Sequence, residues 1–161
     1  MILDLAIART IHVLGVVLWI GGVALIATVL LPVVCRLKTP QEKIAFFEQI
    51  ENRFAKQARV VTVVTGLSGL YLVYAMQAWG RFAFLQYWWM HAMVFIWLIY
   101  TVLLFLLEPL ILHRWFLKRA AARPDETFTL VLRLHWILIA LSLLTVAGAV
   151  AGAHGLLLFN N

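Results

Sequence analysis

Five histidines, His12, His91, His113, His135 and His154, are the side chains in this sequence best equipped to do chemistry. A neutral imidazole carries one donor and one acceptor, and in hydrocarbon there is no water to satisfy either. An intramembrane histidine is therefore a functional candidate by default. Ligation of a metal by one ring nitrogen meets that need, and haem iron takes histidine readily, one on each face in low-spin electron-transfer haems. The stretch TIHVLGVVLWIGG at 10–22 shows the setting, with His12 and Trp19 in an otherwise apolar run. On a helix Gly15 and Gly22 fall within about 80° of His12, leaving room for a flat macrocycle, and Trp19 is nearly in line with it two turns deeper. Arg9, one turn outward, is placed to pair with a haem propionate through its fork of donors.

The elements that position these residues are helices in lipid. The chain has 161 residues, of which 65% are hydrophobic and 12% charged, with a mean hydropathy of +0.98. Four uncharged gaps, Thr10 to Cys35, Val60 to Gly80, Phe82 to Leu107 and Leu134 to the C-terminus, each reach the roughly 20 residues that cross a bilayer core. The expected fold is all-α: a single domain over 1–161, an integral membrane antiparallel four-helix bundle with spans near 8–34, 60–80, 84–110 and 130–156. The first gap opens with Asp4 rather than a lysine cluster and is too long for a cleaved leader, so the first helix is expected to stay.

The formal charge of +6 comes mainly from two clusters. Arg36, Lys38, Lys43, Arg53, Lys56 and Arg59 lie in the 35–59 loop; Arg114, Lys118, Arg119 and Arg123 lie in the 111–129 loop, with Arg133 just beyond. That asymmetry places both loops in the cytoplasm and both termini outside a bacterial inner membrane, and it speaks for topology rather than for nucleic acid. In the first loop TPQE, at 39–42, reads as a capping box with Pro40 in the first turn, and Ile44, Phe47, Ile50 and Phe54 follow at helical spacing. This amphipathic cytoplasmic helix either continues into the second span or lies on the headgroups. Pro124 is expected to break the chain, with Asp125 or Thr127 starting the last helix. GLSG at 66–69 and GAVAG at 148–152 are expected to let helices approach closely. Trp79, Tyr87, Trp88 and Trp89 form an interfacial belt. The lone Cys35 is expected only to pack.

Depth sorts the histidines. His12 and His91 belong to the outer leaflet; His113 lies roughly 33 Å along the helix from His91, at the cytoplasmic boundary, where His135 also falls, and His154 returns to the outer side. In an up-down bundle the first and third helices are diagonal, so His12 and His91 are the expected axial ligands of one haem b. His113 and His135 are the candidates for a second haem. A copper site built from His12, His91 and His154, with Met90 nearby, is the alternative. Glu108 is expected to pair with Arg59 or Arg133, or to relay protons.

IHVLGVVLWIGGVALIATVLLP, a charged loop, and ENRFAKQARVVTVVTGLSGLYL together resemble the four-helix CopD-like and HemJ-like inner-membrane proteins. The resemblance rests on His12, Trp19, Gly21, Gly22, Pro32, Glu51, Arg53, Arg59, Gly66 and Gly69 and covers roughly the first half, with Met90 and His91 beyond it. It implies a b-type haem on His12. Its two branches imply different activities, oxidation of protoporphyrinogen with haem passing electrons to quinone, or copper handling. The chain departs from the HemJ branch after Pro32, reading VVCRLKTP where an aromatic, histidine-containing run is expected.

The leading functional expectation is a membrane cytochrome b, an oxidoreductase passing electrons between quinol in the lipid and a redox partner near the outer face. The others are a porphyrinogen oxidase, a copper-handling protein, and a structural subunit of a larger respiratory complex. No ladder of thiols or methionines crosses the membrane, which argues against copper permeation.

Overall fold

The computed structural model describes residues 2–156 and 159. Four helices in it are long and apolar enough to cross a membrane: α1, Ile2–Cys35; α2, Pro40–Ala75; α3, Leu85–Ala122; and α4, Pro124–Ala153. At about 1.5 Å per residue they measure roughly 45–57 Å, well beyond a hydrocarbon core of about 30 Å.

Their ends follow local chemistry. The Thr39 hydroxyl accepts from the Glu42 N–H at 3.2 Å while Glu42 Oε2 accepts from the Thr39 N–H at 3.2 Å, the expected capping box, with Pro40 in the first turn. From that cap α2 runs unbroken, so the amphipathic segment continues into the second apolar stretch. It stops at Ala75, short of the expected 80. Arg123 leaves helical geometry and Pro124 takes the first turn of α4, where its missing N–H costs nothing. The last helix thus starts ahead of Asp125 and Thr127, and it ends at Ala153 rather than 156. Most of the two expected loops is helix. Between α2 and α3 the chain turns through left-handed Gln77, φ 51°, and a tight 3₁₀ segment, Ala78–Ala83.

Two stretches are wound more loosely than an α-helix. Ile26–Leu30 in α1 and Leu103–Leu112 in α3 make π turns, with the Leu31 N–H reaching the Ile26 carbonyl and the His113 N–H reaching the Glu108 carbonyl. Each is associated with a proline, Pro32 or Pro109, and a residue without an N–H interrupts the tighter ladder.

Along α1 and α2, His12 faces Gly69, Gly15 faces Thr65 and Gly22 faces Phe54. Along α3 and α4, Trp88 sits on Gly148, Trp89 on Gly152, and Phe116 beside Phe128. Most of these glycines seat rings rather than bringing helix backbones together. Gly66 takes Trp97, whose Nε1 donates to the Thr62 carbonyl at 2.9 Å. Of the expected aromatic belt, Trp88 and Trp89 turn inward to those seats and Trp79 remains exposed.

The core has three parts. Near the charged turns, Phe47, Phe116 and Phe128 close a triangle with centroids 5.1 to 5.7 Å apart, packed with Ile26, Leu31 and Val34. The middle holds Trp19, Val23, Ile96, Tyr100 and Ile139. Ala78, Trp89 and Met90 form the far end. The buried Lys43 reaches Asp125 at 2.6 Å and ties the start of α2 to the start of α4.

Candidate functional site

Helix α3 packs on α4 over Trp88–Val102 and again over His113–Ala122, but stands off it along the loosely wound Leu103–Leu112. Beside that stretch lies a cleft of about 320 Å³, within the size range of small-molecule sites. Its walls include Trp19, Val23, Phe54, Tyr100 and Leu138, and Leu134 and Ile137, both about half exposed, lie at its rim. Two carboxylates and two imidazoles line it: Glu51, Glu108, His113 and His135.

These four are not equivalent. Glu108 is paired with Arg59, which also donates from Nε to the Leu104 carbonyl at 3.0 Å, inside the loose stretch. Glu108 therefore takes the structural pairing, with Arg59 rather than Arg133. His113 Nε2 lies 3.7 Å from Glu48 Oε1, both side chains being about a third exposed. Glu51 makes no hydrogen bond to any described residue and feels Glu108 and His113 from α3, with Arg59 and Glu48 on its own helix. Deeper in, Trp19 is 4% exposed and stacks edge-on against Tyr100 at 4.6 Å. Its indole N–H is buried without a hydrogen-bond partner among the described residues. A buried donor left unmade costs on the order of 1–3 kcal/mol.

The histidines fall elsewhere than depth alone places them. His12 Nδ1 lies 2.9 Å from the Thr65 carbonyl and 3.3 Å from the Ser68 hydroxyl. A carbonyl only accepts, so Nδ1 carries the proton and Nε2 keeps its lone pair, unengaged among the described residues. His91, exposed, donates from Nε2 to the Phe82 carbonyl at 3.0 Å and sets its ring edge-on to Phe82. The expected axial pair is thus directed to different neighbours. His135 and His154 each bond their own helix, at Val131 and Val150. The room expected at Gly15 and Gly22 is filled by Thr65 and the Phe54 ring. Among the described residues Arg9 reaches Met76 Sδ alone, at 4.0 Å. Among the described residues no three metal-ligating side chains converge, so His12, His91 and His154 do not assemble the three-histidine outer site.

For haem b the donor chemistry therefore fits at one position. His12 has the form of a metal-ligating histidine, one nitrogen held by a carbonyl and the other free. The second face is not supplied by His91 in this arrangement. His113 and His135 do share a cavity. Glu51 and Tyr100 are the cleft residues that reasoning from the histidines leaves out. The signal for the former was the spacing Glu51, Ala55, Ala58 at i, i+4, i+7, which puts a carboxylate and two small residues on one helix face. No protein-family model, curated protein or solved structure matches the chain.

Proposed function

We propose that this chain is an integral protein of the bacterial inner membrane, an antiparallel four-helix bundle that binds haem b and passes electrons between quinol in the lipid and an acceptor near the outer face. The observation that carries the haem reading is His12, a part-buried imidazole in an apolar helix whose tautomer is fixed by the Thr65 carbonyl with Nε2 left over. The contact order His12 to Gly69, Gly15 to Thr65 and Gly22 to Phe54 supports opposite directions for the first two helices. The basic residues on the turns between α1 and α2 and between α3 and α4, and on the helix segments that flank those turns, support a cytoplasmic placement of that end.

When bound, haem b supplies one-electron chemistry at iron. The chain contributes orientation: the Ser68 hydroxyl donates to the Val64 carbonyl at 2.7 Å, which fixes it beside His12 Nδ1. Gly69 leaves space for the ring, since a Cβ there would meet His12 Cε1 at 2.9 Å. Oxidation of one quinol releases two electrons and two protons, and the carboxylates and imidazoles of the cleft are the groups able to accept those protons.

The test is a reduced-minus-oxidised optical spectrum of the purified protein. A sharp α band is expected, and His12→Ala is expected to abolish it. Loss of the band in His91→Ala as well identifies a two-histidine site, whereas loss in His12→Ala alone identifies a different group opposite. A band that survives His12→Ala, or no band in the intact protein, overturns the reading.

A further inference from the structure

The cleft beside Leu103–Leu112 has a chemical bias that the haem reading does not use. Glu51, Phe54, Ala55 and Ala58 stand at i, i+3, i+4 and i+7 on α2 and line it together, so one helix face brings a carboxylate to an otherwise apolar wall. Glu51 and Glu108 both belong to the lining, and among the described residues no lysine or arginine does. The charges that act on Glu51 are those of Glu48, Glu108, His113 and Arg59. The guanidinium is committed to Glu108 and to the Leu104 carbonyl. It does not balance three carboxylates, and a proton on His113 would still leave this end of the cleft negative.

The polar atoms left over ask for a donor. Glu51 has no hydrogen-bond partner among the described residues, and its oxygens are not sealed from the surface as the Trp19 indole N–H is. An ionised carboxylate only accepts. His135, also in the lining, donates from Nδ1 to the Val131 carbonyl at 2.9 Å, so in the neutral ring Nε2 is a second acceptor. Away from Glu51 the walls are apolar, with Phe54, Tyr100, Leu103 and Leu138 among them. A half-buried carboxylate beside such walls is costly until a counter-charge meets it, and the attraction is stronger there than in water.

The cleft is elongated. Val61, ten residues beyond Glu51 on α2, packs in the cluster around Trp19, so the lining runs about 15 Å along the bundle from Glu51 to Trp19. Leu134 and Ile137, about half exposed, stand at its rim where lipid would lie.

We infer that the cleft binds an organic cation, a protonated amine on a long apolar body, with the ammonium against the Glu51 carboxylate and the body along the wall of Phe54, Tyr100 and Leu138. The site is separate from His12 and does not rest on the haem reading. An anion is disfavoured by the two lining carboxylates, and a neutral hydrophobe leaves Glu51 without a counter-charge. A bare metal ion is disfavoured too, since among the described residues no three metal-ligating side chains converge.

The test is fluorescence titration of the whole protein, in neutral maltoside micelles, with dansylcadaverine, a primary amine carried on an apolar chain and a naphthalene ring. Saturable binding is expected, with the N-acetyl derivative, the same body without the charge, about tenfold weaker. Glu51→Gln is expected to weaken the amine about tenfold and to leave the acetyl form unchanged. The preference for charge is then lost, while acetyl binding reports an intact cleft. Leu138→Trp, which fills the cleft, is expected to abolish binding of both probes, and His12→Ala to alter neither. Equal affinities for the two probes in the unaltered protein overturn the site, as does a preference that survives Glu51→Gln or an equal loss of both probes in that variant. Displacement of the amine by phosphatidylethanolamine supports the site with a lipid headgroup ammonium as its source. Failure of that lipid to compete, with the charge preference intact, supports the site with a free amine as its source.

Discussion

Replacing Phe128 with alanine lowers the unfolding free energy by about 4 kcal/mol, the usual cost of emptying a phenylalanine's place in a core. The side chain is fully buried, with the rings of Phe47 and Phe116 at centroid distances of 5.7 and 5.6 Å. It stands at the fifth residue of α4, near the charged turns, where the bundle outruns the bilayer in the topology proposed above. There the hydrophobic effect acts in full, whereas between helices deep in lipid the tails are as apolar as leucine and packing alone discriminates. Phe128→Leu, which keeps most of the volume, is expected to cost less than about 1.5 kcal/mol. Leu144→Ala, on a side chain 61% exposed, is expected to stay within about 0.5 kcal/mol. Unfolding in mixed micelles titrated with denaturing detergent measures all three, and equal losses for Phe128→Ala and Leu144→Ala would contradict this account of the core.

Arg59→Ala is the second large loss, about 3 kcal/mol, at the low end for breaking a buried ion pair because the arginine is partly exposed. Two groups are abandoned at once. The Glu108 carboxylate, with its side chain 19% exposed, is left facing Glu51, which loses the field of Arg59 at the same time, and the Leu104 carbonyl loses the Arg59 Nε donor. Removing Glu108 as well takes away the stranded charge, so the double variant Arg59→Ala with Glu108→Ala is expected to be more stable than Arg59→Ala alone. Arg59→Lys restores the charge but not the fork that serves a carboxylate and a carbonyl together, and recovers only part of the loss. The same detergent titration reads the cycle; additivity of the two single variants would show that the pair is not coupled.

Much of the fold was written locally. The four apolar gaps located four long helices, and the Thr39–Glu42 box set the start of α2 to the residue. Both signals depend only on neighbours in sequence. Depth along a helix was readable in the same way, but the direction in which a side chain points around it was less so. His12 and His91 were paired by depth, yet one turns to Thr65 and Ser68 and the other to the Phe82 carbonyl. A clue to the first lay in α2, where Thr65, Ser68 and Gly69 stand at i, i+3 and i+4 and so present an acceptor, a hydroxyl and a gap on one face. The cleft had no such clue. Regular helical spacing carried across Pro109 assigns faces wrongly, because the loosely wound residues before it rotate everything that follows. Trp89, similarly, looked like an interfacial anchor until Gly152 on another helix supplied its seat.

The loose winding of Leu103–Leu112 has a consequence for how this chain can vary. Its hollow is made by surplus contour rather than by particular side chains, so many single exchanges among leucines there would leave it open. Deleting one residue would tighten the coil toward α-helical winding, take up the surplus and close the hollow against α4, with His113 and Phe116 keeping their bearing. In this segment heredity must guard the number of residues more strictly than their identity.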